Sequence, residues 1–575
     1  MKLSGAQILC ESLLKEGVEV IFGYPGGAVL PLYDTLSKYP KLRHILVRHE
    51  QGAAHAADGY ARVTGKVGVC FATSGPGATN LVTGIANANL DSVPIVAVTG
   101  QVARPFIGKD AFQEVDITGI TLPVTKHNYL VMEASSLAKV VKEAFYLART
   151  GRPGPVLIDI PRDVFTETAE YVYPDKVNIP GYAPTTQGHP AQIKKAVRML
   201  GESRKPVIIA GRGVSVSGAF AELKELAEKA QIPVVTTLLG IGGFPESHIL
   251  SFGMLGMHGT YYANMAVGEA DLVLAIGMRF DDRATANPGA FAPRARIVHI
   301  DIDPAEIGKN VRVDVPIVGD VKVVLGELNK LVPQSAHVDW LKQIDGWRKE
   351  HPMTVIRETE ELLPQYIIRK LYEVTKGDAI VVTGVGQNQM WAAQHFWYDK
   401  PNHFLSSGGL GTMGYEIPAA VGAKVGRPDE VVWCIAGDGG FQMKMQELGT
   451  IVQEKLAVKI AIINNGCLGM PRQWQELIYG KNYVCSYLSG PDFVKLAGAY
   501  GIKALRVKHN DEVVPALEQA MAHDGPFIID FIISPDENVY PMVLPGRALT
   551  EVVEDPRIVE PKRVVGAWRK QQNTP

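Results

Sequence analysis

Residues 431–465 read as an apolar strand, a glycine-rich turn, a helix-length crossover at 442–455 and a second apolar strand. Two strands joined by one helix lie parallel in one sheet, because the crossover must return along the sheet face before the second strand can pair. Parallel sheets carry helices on both faces, so this stretch commits its part of the chain to a layered α/β domain. It also places Asp438, in the turn Gly437-Asp438-Gly439-Gly440, and Asn465, closing the run 458–465, at the carboxyl edge of that sheet. Open α/β sheets bind their ligands there. Both side chains offer oxygen to a hard cation. A carboxylate from Asp438, a carboxamide from Asn465 and a backbone carbonyl near Cys467 would leave an octahedral magnesium ion free positions for phosphate oxygens and water. The flanking glycines let backbone amides approach a phosphate at the helix start.

The same alternation runs through the rest of the chain, with strand-like runs at 18–22, 67–72, 94–99, 156–160 and 379–383, each followed by Gly or Pro. At 171–190 a stretch rich in Pro, Gly, Thr and Tyr interrupts the rhythm, and 333–364 mixes polar helix with prolines. The expected organisation is therefore three α/β domains at 1–170, 190–332 and 365–550, with a tail at 551–575. A chain of 575 residues with 46% hydrophobic and 21% charged residues can give each domain a full core. Charge excludes one class of partner: Lys+Arg 58 against Asp+Glu 60 leaves no positive excess to draw the chain to nucleic acid or anionic lipid. Five cysteines, widely spaced and without metal-type pairing, fit a reducing compartment and no disulfides. The opening segment MKLSGAQILCESLLKEG reads as an amphipathic first helix, and no apolar stretch has the length of a membrane span. A cytoplasmic protein is the expectation, although a leader already removed would leave the same beginning.

Other candidates stand at strand ends. Residues 44–50 read as a strand whose last residue is Glu50, followed by an Ala-rich helix at 51–62. Gly384-Val385-Gly386-Gln387 follows strand 379–383, and Met413 is the one bulky side chain near the end of Ser407-Gly408-Gly409-Leu410-Gly411-Thr412-Met413-Gly414. In the middle domain a strand at 206–210, the turn Gly211-Arg212-Gly213, a helix at 219–229, a strand at 270–276 and Asp301 closing Ile297-Val298-His299-Ile300-Asp301 are compatible with dinucleotide binding.

Gly437-Asp438-Gly439 followed by Asn464-Asn465 resembles the signature of thiamine diphosphate enzymes. The likeness extends over the whole chain to one family of them, the acetohydroxyacid (acetolactate) synthases and their catalytic subunits. It rests on Phe22-Gly23-Tyr24-Pro25-Gly26-Gly27-Ala28, Arg48-His49-Glu50-Gln51, Ser74-Gly75-Pro76-Gly77-Ala78-Thr79-Asn80, Asp110-Ala111-Phe112-Gln113-Glu114, Arg279-Phe280-Asp281-Asp282-Arg283 and Gln473-Trp474-Gln475. The fold class it implies is three doubly wound parallel-sheet domains: pyrimidine-binding, central FAD-binding and Rossmann-like, and diphosphate-binding. The implied reaction decarboxylates pyruvate and ligates the two-carbon remainder to a second 2-keto acid, pyruvate or 2-ketobutyrate, at the head of branched-chain amino acid biosynthesis.

By the same resemblance, Glu50 hydrogen-bonds the aminopyrimidine nitrogen of the cofactor, and a carboxyl in that role is expected to be desolvated with its pKa pushed up. Met413 is the apolar prop that bends the cofactor. Gly27 and Gln113 lie near the reacting atoms, Arg283 pairs with the acceptor carboxylate and Trp474 shapes the acceptor pocket. Tyr24, Pro25, Pro76, Asn80, Val385, Gly386, Gln387, Gly411, Gly437, Gly439, Gly440, Gly469 and Met470 complete the thiamine diphosphate site, with Asp438, Asn465 and Cys467 on magnesium. FAD is expected on Arg152, Gly211, Gly213, His258, Gly259, Arg279, Asp281, Asp301 and Asp320. The implied partners are a second copy of the chain, as homodimer or tetramer, and a separate regulatory small subunit. The chain departs from the family pattern at Gly440, where Ser is common, Asn388 for His, Pro471 for a small aliphatic, Glu416 for Gly and Arg162 for Lys. A flavin-using pyruvate oxidase or another 2-keto acid decarboxylase of the same superfamily is the alternative reading.

Overall fold

Three six-stranded sheets organise the computed structural model, which describes residues 1–558. The first comprises β1 (Val20–Gly23), β2 (Arg43–Leu46), β3 (Gly68–Ala72), β4 (Ile95–Gln101), β5 (His127–Leu130) and β6 (Val156–Pro161), in the order β2-β1-β3-β4-β6-β5. The second comprises β7 (Pro206–Ala210), β8 (Val234–Thr236), β9 (Ser251–Met254), β10 (Leu272–Ile276), β11 (Arg296–Asp301) and β12 (Val315–Val318), ordered β9-β8-β7-β10-β11-β12. The third comprises β13 (Ile380–Thr383), β14 (Phe404–Leu405), β15 (Val432–Gly437), β16 (Val458–Asn464), β17 (Lys503–Val507) and β18 (Phe527–Ile532), ordered β14-β13-β15-β16-β18-β17. Every pairing within the three sheets is parallel. Their central strands are continuous apolar runs, as strands covered on both faces must be; β15 and β16 are buried up to their last residue.

The middle sheet has the order of dinucleotide-binding folds, and the direction in which its strands are added reverses between β7 and β10. The outer two share one order, with the reversal between their first and third strands. Each sheet thus opens a crevice at its carboxyl edge at a defined place. Around these places six helices matter: α1 (Glu50–Thr64), α2 (Arg212–Ser217), α3 (Gln387–His395), α4 (Glu416–Gly426), α5 (Asp438–Lys444) and α6 (Gly469–Leu477).

Helices α1 and α4 join the first and third domains at backbone contact. A Cβ on Gly59 would lie 2.2 Å from the Ala419 carbonyl oxygen, and one on Gly422 would lie 1.9 Å from that of Ala56, so only glycine fits either position. Beside this seam lies a buried ionic cluster. Arg62 pairs with Asp58 at 2.6 Å and Asp91 at 2.7 Å, Tyr415 donates to Asp58, and the Gly408 and Gly409 amides donate to Asp91. Arg212, from the middle domain, donates to the Asp91 carbonyl at 2.6 Å. Asp91 therefore ties all three domains together, and fully satisfied partners are what make such buried charge tolerable.

Three expectations need correction. The strand expected at 44–50 ends at Leu46, because its partner β1 ends at Gly23, and Glu50 becomes the first residue of α1. His49 is the extended cap before it, its Nδ1 accepting the Gln51 N–H at 3.1 Å. The crossover expected as one helix at 442–455 starts earlier, at Asp438, and breaks at Lys444 before resuming at Leu448–Gln453. Glu447 causes the interruption: its carboxylate is held by the Arg48 amide and the Thr450 hydroxyl. Finally, the expected tail at 551–575 begins as part of the fold, since Val552–Val553 pairs with Met542–Val543 and Arg557 reaches Glu537. The remainder, 559–575, lies outside the described residues.

Candidate active site

A cavity of about 960 Å³ runs from the carboxyl edge of the third sheet into the crevice of the middle one. That volume is at the upper end of the ~300–1,000 Å³ typical of small-molecule sites, enough for more than one group.

Its third-domain end is built where the sheet order reverses, between β13 and β15. Gly437 closes β15 and Asp438 opens α5, so the carboxylate sits at a helix N-terminus, with the residue 2% exposed. Burial pushes its pKa up to about 6; the nearby Asp530 acts in the same direction, and the amides of Asn465 and Gly439 oppose it. A desolvated acid at this edge is suited to receive a cation, Asp530 being already paired with Arg506 at 2.9 Å. Asn465 is oriented toward the same end: its Nδ2 donates to Gln387 Oε1 at 3.1 Å and its Oδ1 accepts the Cys467 N–H at 3.1 Å. The Cys467 thiol is buried and pushed up to about 11, which leaves its backbone, not its sulfur, as the donor. Among the described residues no group of three His, Cys, Asp or Glu could hold a metal. The Asp438 carboxylate and the Asn465 carboxamide are oxygen donors of the kind a hard cation takes together with phosphate and water oxygens.

The surrounding residues pack to that geometry. A Cβ on Gly469 would lie 2.0 Å from Gln387 Oε1 and 2.6 Å from Asn465 Nδ2, so a side chain where α6 begins would displace the Gln387–Asn465 pair. Val385, Gly386, Gln387, Gly411, Gly437, Gly439, Gly440 and Met470 line the same end of the cavity. Met413 is half-buried with its Cε 3.5 Å from where a Cβ on Gly439 would be, so its side chain lies over the turn that opens α5. Gln473 was missed as a supporting residue: buried, it accepts from Gln387 Nε2 at 3.0 Å and donates to the Val539 carbonyl. The motif Gln473-Trp474-Gln475 contained the signal, but sequence reasoning singled out only the indole. Pro471 lies in the first turn of α6, where a missing N–H costs no helical bond. At the cavity mouth the Arg283 guanidinium lies 5.8 Å from the Trp474 ring centre, although Arg283 and Trp474 come from different domains.

The middle-domain end holds Arg152, Gly213, His258, Arg279, Asp281 and Asp301. Backbones meet closely at its floor: a Cβ on Gly213 would lie 2.5 Å from Gly277 Cα, and one on Gly211 would lie 2.3 Å from the Gly277 carbonyl oxygen. Asp301 closes β11, buried, with its pKa pushed up to about 7 mainly by burial. His258 keeps a buried Nδ1 without a partner and its ring is lowered to about 4 by burial, so it is a neutral hydrogen-bonding group. Arg152 pairs with Glu306 at 2.7 Å, and Arg279 with Asp281 at 3.4 Å. Two expected members stand apart. Gly259 forms a tight turn against Leu255, and Asp320 spends its Oδ1 on capping helix Val321–Leu331 through the Val323 N–H.

Seven expected residues lie elsewhere. Tyr24, Pro25 and Gly27 form an exposed loop after β1, Pro76 and Asn80 follow β3, and Gln113, at φ 60°, rests its backbone on Gly75. Glu50 is half-buried among them, and its Oε2 accepts from Asn80 Nδ2 at 2.9 Å. None of the seven lines the cavity. The desolvation expected for Glu50 is therefore incomplete within one chain. The residues form two half-sites: an open one at the edge of the first sheet and an enclosed one on the third.

Comparison with known proteins fits this division. Residues 3–120 match the family model of the thiamine pyrophosphate enzyme N-terminal TPP binding domain, 193–328 the central domain and 384–531 the C-terminal TPP binding domain. The chain is 52% identical over 564 residues to an acetolactate synthase of Mycobacterium bovis, covering 96% of this chain and 91% of the relative. It is 51% identical over 563 residues to the acetolactate synthase large subunit of Corynebacterium glutamicum, covering 96% and 90%. The large subunit of Pyropia yezoensis is 50% identical over 573 residues, covering 97% and 96%.

Proposed function

Because the chain belongs to the acetolactate synthase family of thiamine pyrophosphate (thiamine diphosphate) enzymes, we propose that it joins a two-carbon unit from pyruvate to a second 2-keto acid. The products are 2-acetolactate or, with 2-ketobutyrate as acceptor, 2-aceto-2-hydroxybutyrate, which commits carbon to valine, leucine and isoleucine. When bound, thiamine diphosphate supplies the electron sink for the decarboxylation.

The chain supplies the rest. Asp438 and Asn465, with the backbone near Cys467, would hold magnesium and through it the diphosphate, since both side chains are buried or pinned at the switch point of the third sheet. Met413 sets the bend and Gln387 orients Asn465. Arg283 offers a planar fork to the acceptor carboxylate, and Trp474 walls the space beside it. That pairing at the mouth of the cavity holding Asp438 is the observation that carries the ligase reading. FAD would occupy the middle-domain end, on Arg152, His258, Arg279 and Asp301 with the backbone of Gly211 and Gly213, and no step depends on it.

Glu50 belongs to the open half-site, so a complete centre needs the Glu50 face of one chain against the Asp438 cavity of a partner copy. A homodimer is the minimum assembly in this reading, with a tetramer and a regulatory small subunit as further states; relatives at about 50% identity are named large subunits. Among the described residues no helix is long and apolar enough to cross a membrane.

Incubation with pyruvate and 2-ketobutyrate, with and without thiamine diphosphate and magnesium, tests the proposal. Cofactor-dependent acetohydroxyacids are expected; peroxide or a reduced acceptor without them would instead identify a pyruvate oxidase. Replacing Trp474 with Leu is expected to lower the preference for 2-ketobutyrate over pyruvate about tenfold, within the ~10–200-fold that one apolar contact contributes to discrimination. Product ratios in competition assays measure it, and an unchanged ratio would remove Trp474 from the acceptor pocket.

A further inference from the structure

Glu416 is a buried acid beside the cavity to which the proposed reaction gives no role. It opens α4 with 0% exposure, and no side chain bonds its carboxyl oxygens, the backbone N–H groups of Gly414 and Glu416 being the polar groups that act on them. Its surroundings are the undersides of two glycines that belong to the loops forming the diphosphate cradle. A Cβ on Gly440 would lie 2.6 Å from Glu416 Oε1, and one on Gly384 would lie 2.8 Å from the carboxyl carbon and 2.9 Å from both oxygens. The carboxyl is thus clamped between β13's exit and the first turn of α5, in the volume that side chains at 384 and 440 would otherwise fill. On the same loops, Asn388 Oδ1 faces Gly386 and Gly437, each of whose Cβ positions would be 3.4 Å away, and its Nδ2 donates to the Ile435 carbonyl at 2.9 Å.

We propose that Glu416 is a positioning residue that sets how tightly the chain holds a magnesium-bound diphosphate, its side chain supporting the first turn of α5 from beneath where residue 440 carries none. The inference rests on the thiamine diphosphate reading and goes beyond it in assigning a positioning residue. Burial supports it: an acid pushed up to about 7 is readily kept uncharged under phosphates, whereas an ionised one would repel them. A side chain added at 440 would meet the carboxyl tip, which Gly384 flanks on its other side, so the Glu416 side chain or the first turn of α5 must shift, and overpacking of this kind is destabilising.

The test is calorimetric titration of the cofactor-free, full-length protein with thiamine diphosphate in excess magnesium, alongside thermal unfolding of each cofactor-free variant. Gly440→Ser is expected to weaken binding by about tenfold or more. Combining it with Glu416→Gly is expected to bring the Kd back to within about threefold of the parent, and Glu416→Gln, a neutral amide of the same shape, to stay within the same margin. Parent-like binding by Gly440→Ser, or a double variant no tighter than the single one, would overturn the proposal. So would reciprocal changes in Tm with an unmoved Kd, which would reduce the pair to core packing. Failure of the parent itself to bind points elsewhere, to the thiamine diphosphate reading on which the pair depends.

Discussion

Glu50→Gln is expected to lower turnover of pyruvate by about 10²–10⁴-fold, the range for loss of a positioned proton-transfer group, while thiamine diphosphate still binds. The prediction follows from where the carboxyl sits. Glu50 Oε2 accepts from Asn80 Nδ2 at 2.9 Å, leaving its other oxygen, near Gly77, to meet a ligand. A carboxamide keeps the shape and loses the exchangeable charge, so binding and turnover separate. Steady-state acetolactate formation and calorimetric cofactor titration on one preparation measure both, and turnover within a few-fold of the parent would strip Glu50 of its assigned role.

Asp438→Ala is expected to abolish magnesium-dependent cofactor binding, weakening it by more than about 100-fold, since groups that only support a ligand already cost ~10–100-fold when removed. The cofactor-free protein should meanwhile unfold at the same or a higher temperature. The sign follows from the raised pKa: below its ordinary value the acid is neutral in both folded and unfolded chains, and as pH rises through about 6 the fold must carry a buried charge that the unfolded chain solvates. At neutral pH the alanine removes that cost. Differential scanning with and without magnesium and thiamine diphosphate checks it; a variant that binds normally would show that the cation is held elsewhere.

Local pattern exposed much of this. Apolar runs broken by glycine announced the strands, and the strand-helix-strand unit alone was enough to put Asp438 and Asn465 on one sheet edge, where the structure has them. What stayed hidden depends on partners distant in sequence. Glu50 read as a strand end because His44–Glu50 has no internal stop; the stop is the end of β1, whose residues it pairs with. The interruption of the crossover needs Arg48 to draw Glu447 away, some 399 residues apart in sequence. Asp320 entered the FAD set by resemblance alone, and pattern did not show that it also caps a helix, its Oδ1 accepting the Val323 N–H. The relation of Glu416 to Gly440 was visible only as two unconnected oddities, because nothing in a linear pattern says that one side chain fills another's empty volume.

Helices α1 and α4 meet backbone to backbone at Gly59 and Gly422, and that intimacy governs how the molecule breathes. Because the two backbones lie too close there for any side chain to enter, amide protons on both sides of the seam are expected to exchange with solvent together, through one large opening. Ligand entry must then be managed by loops around a rigid pair of sheets, and a protease would find its first cuts well away from that junction.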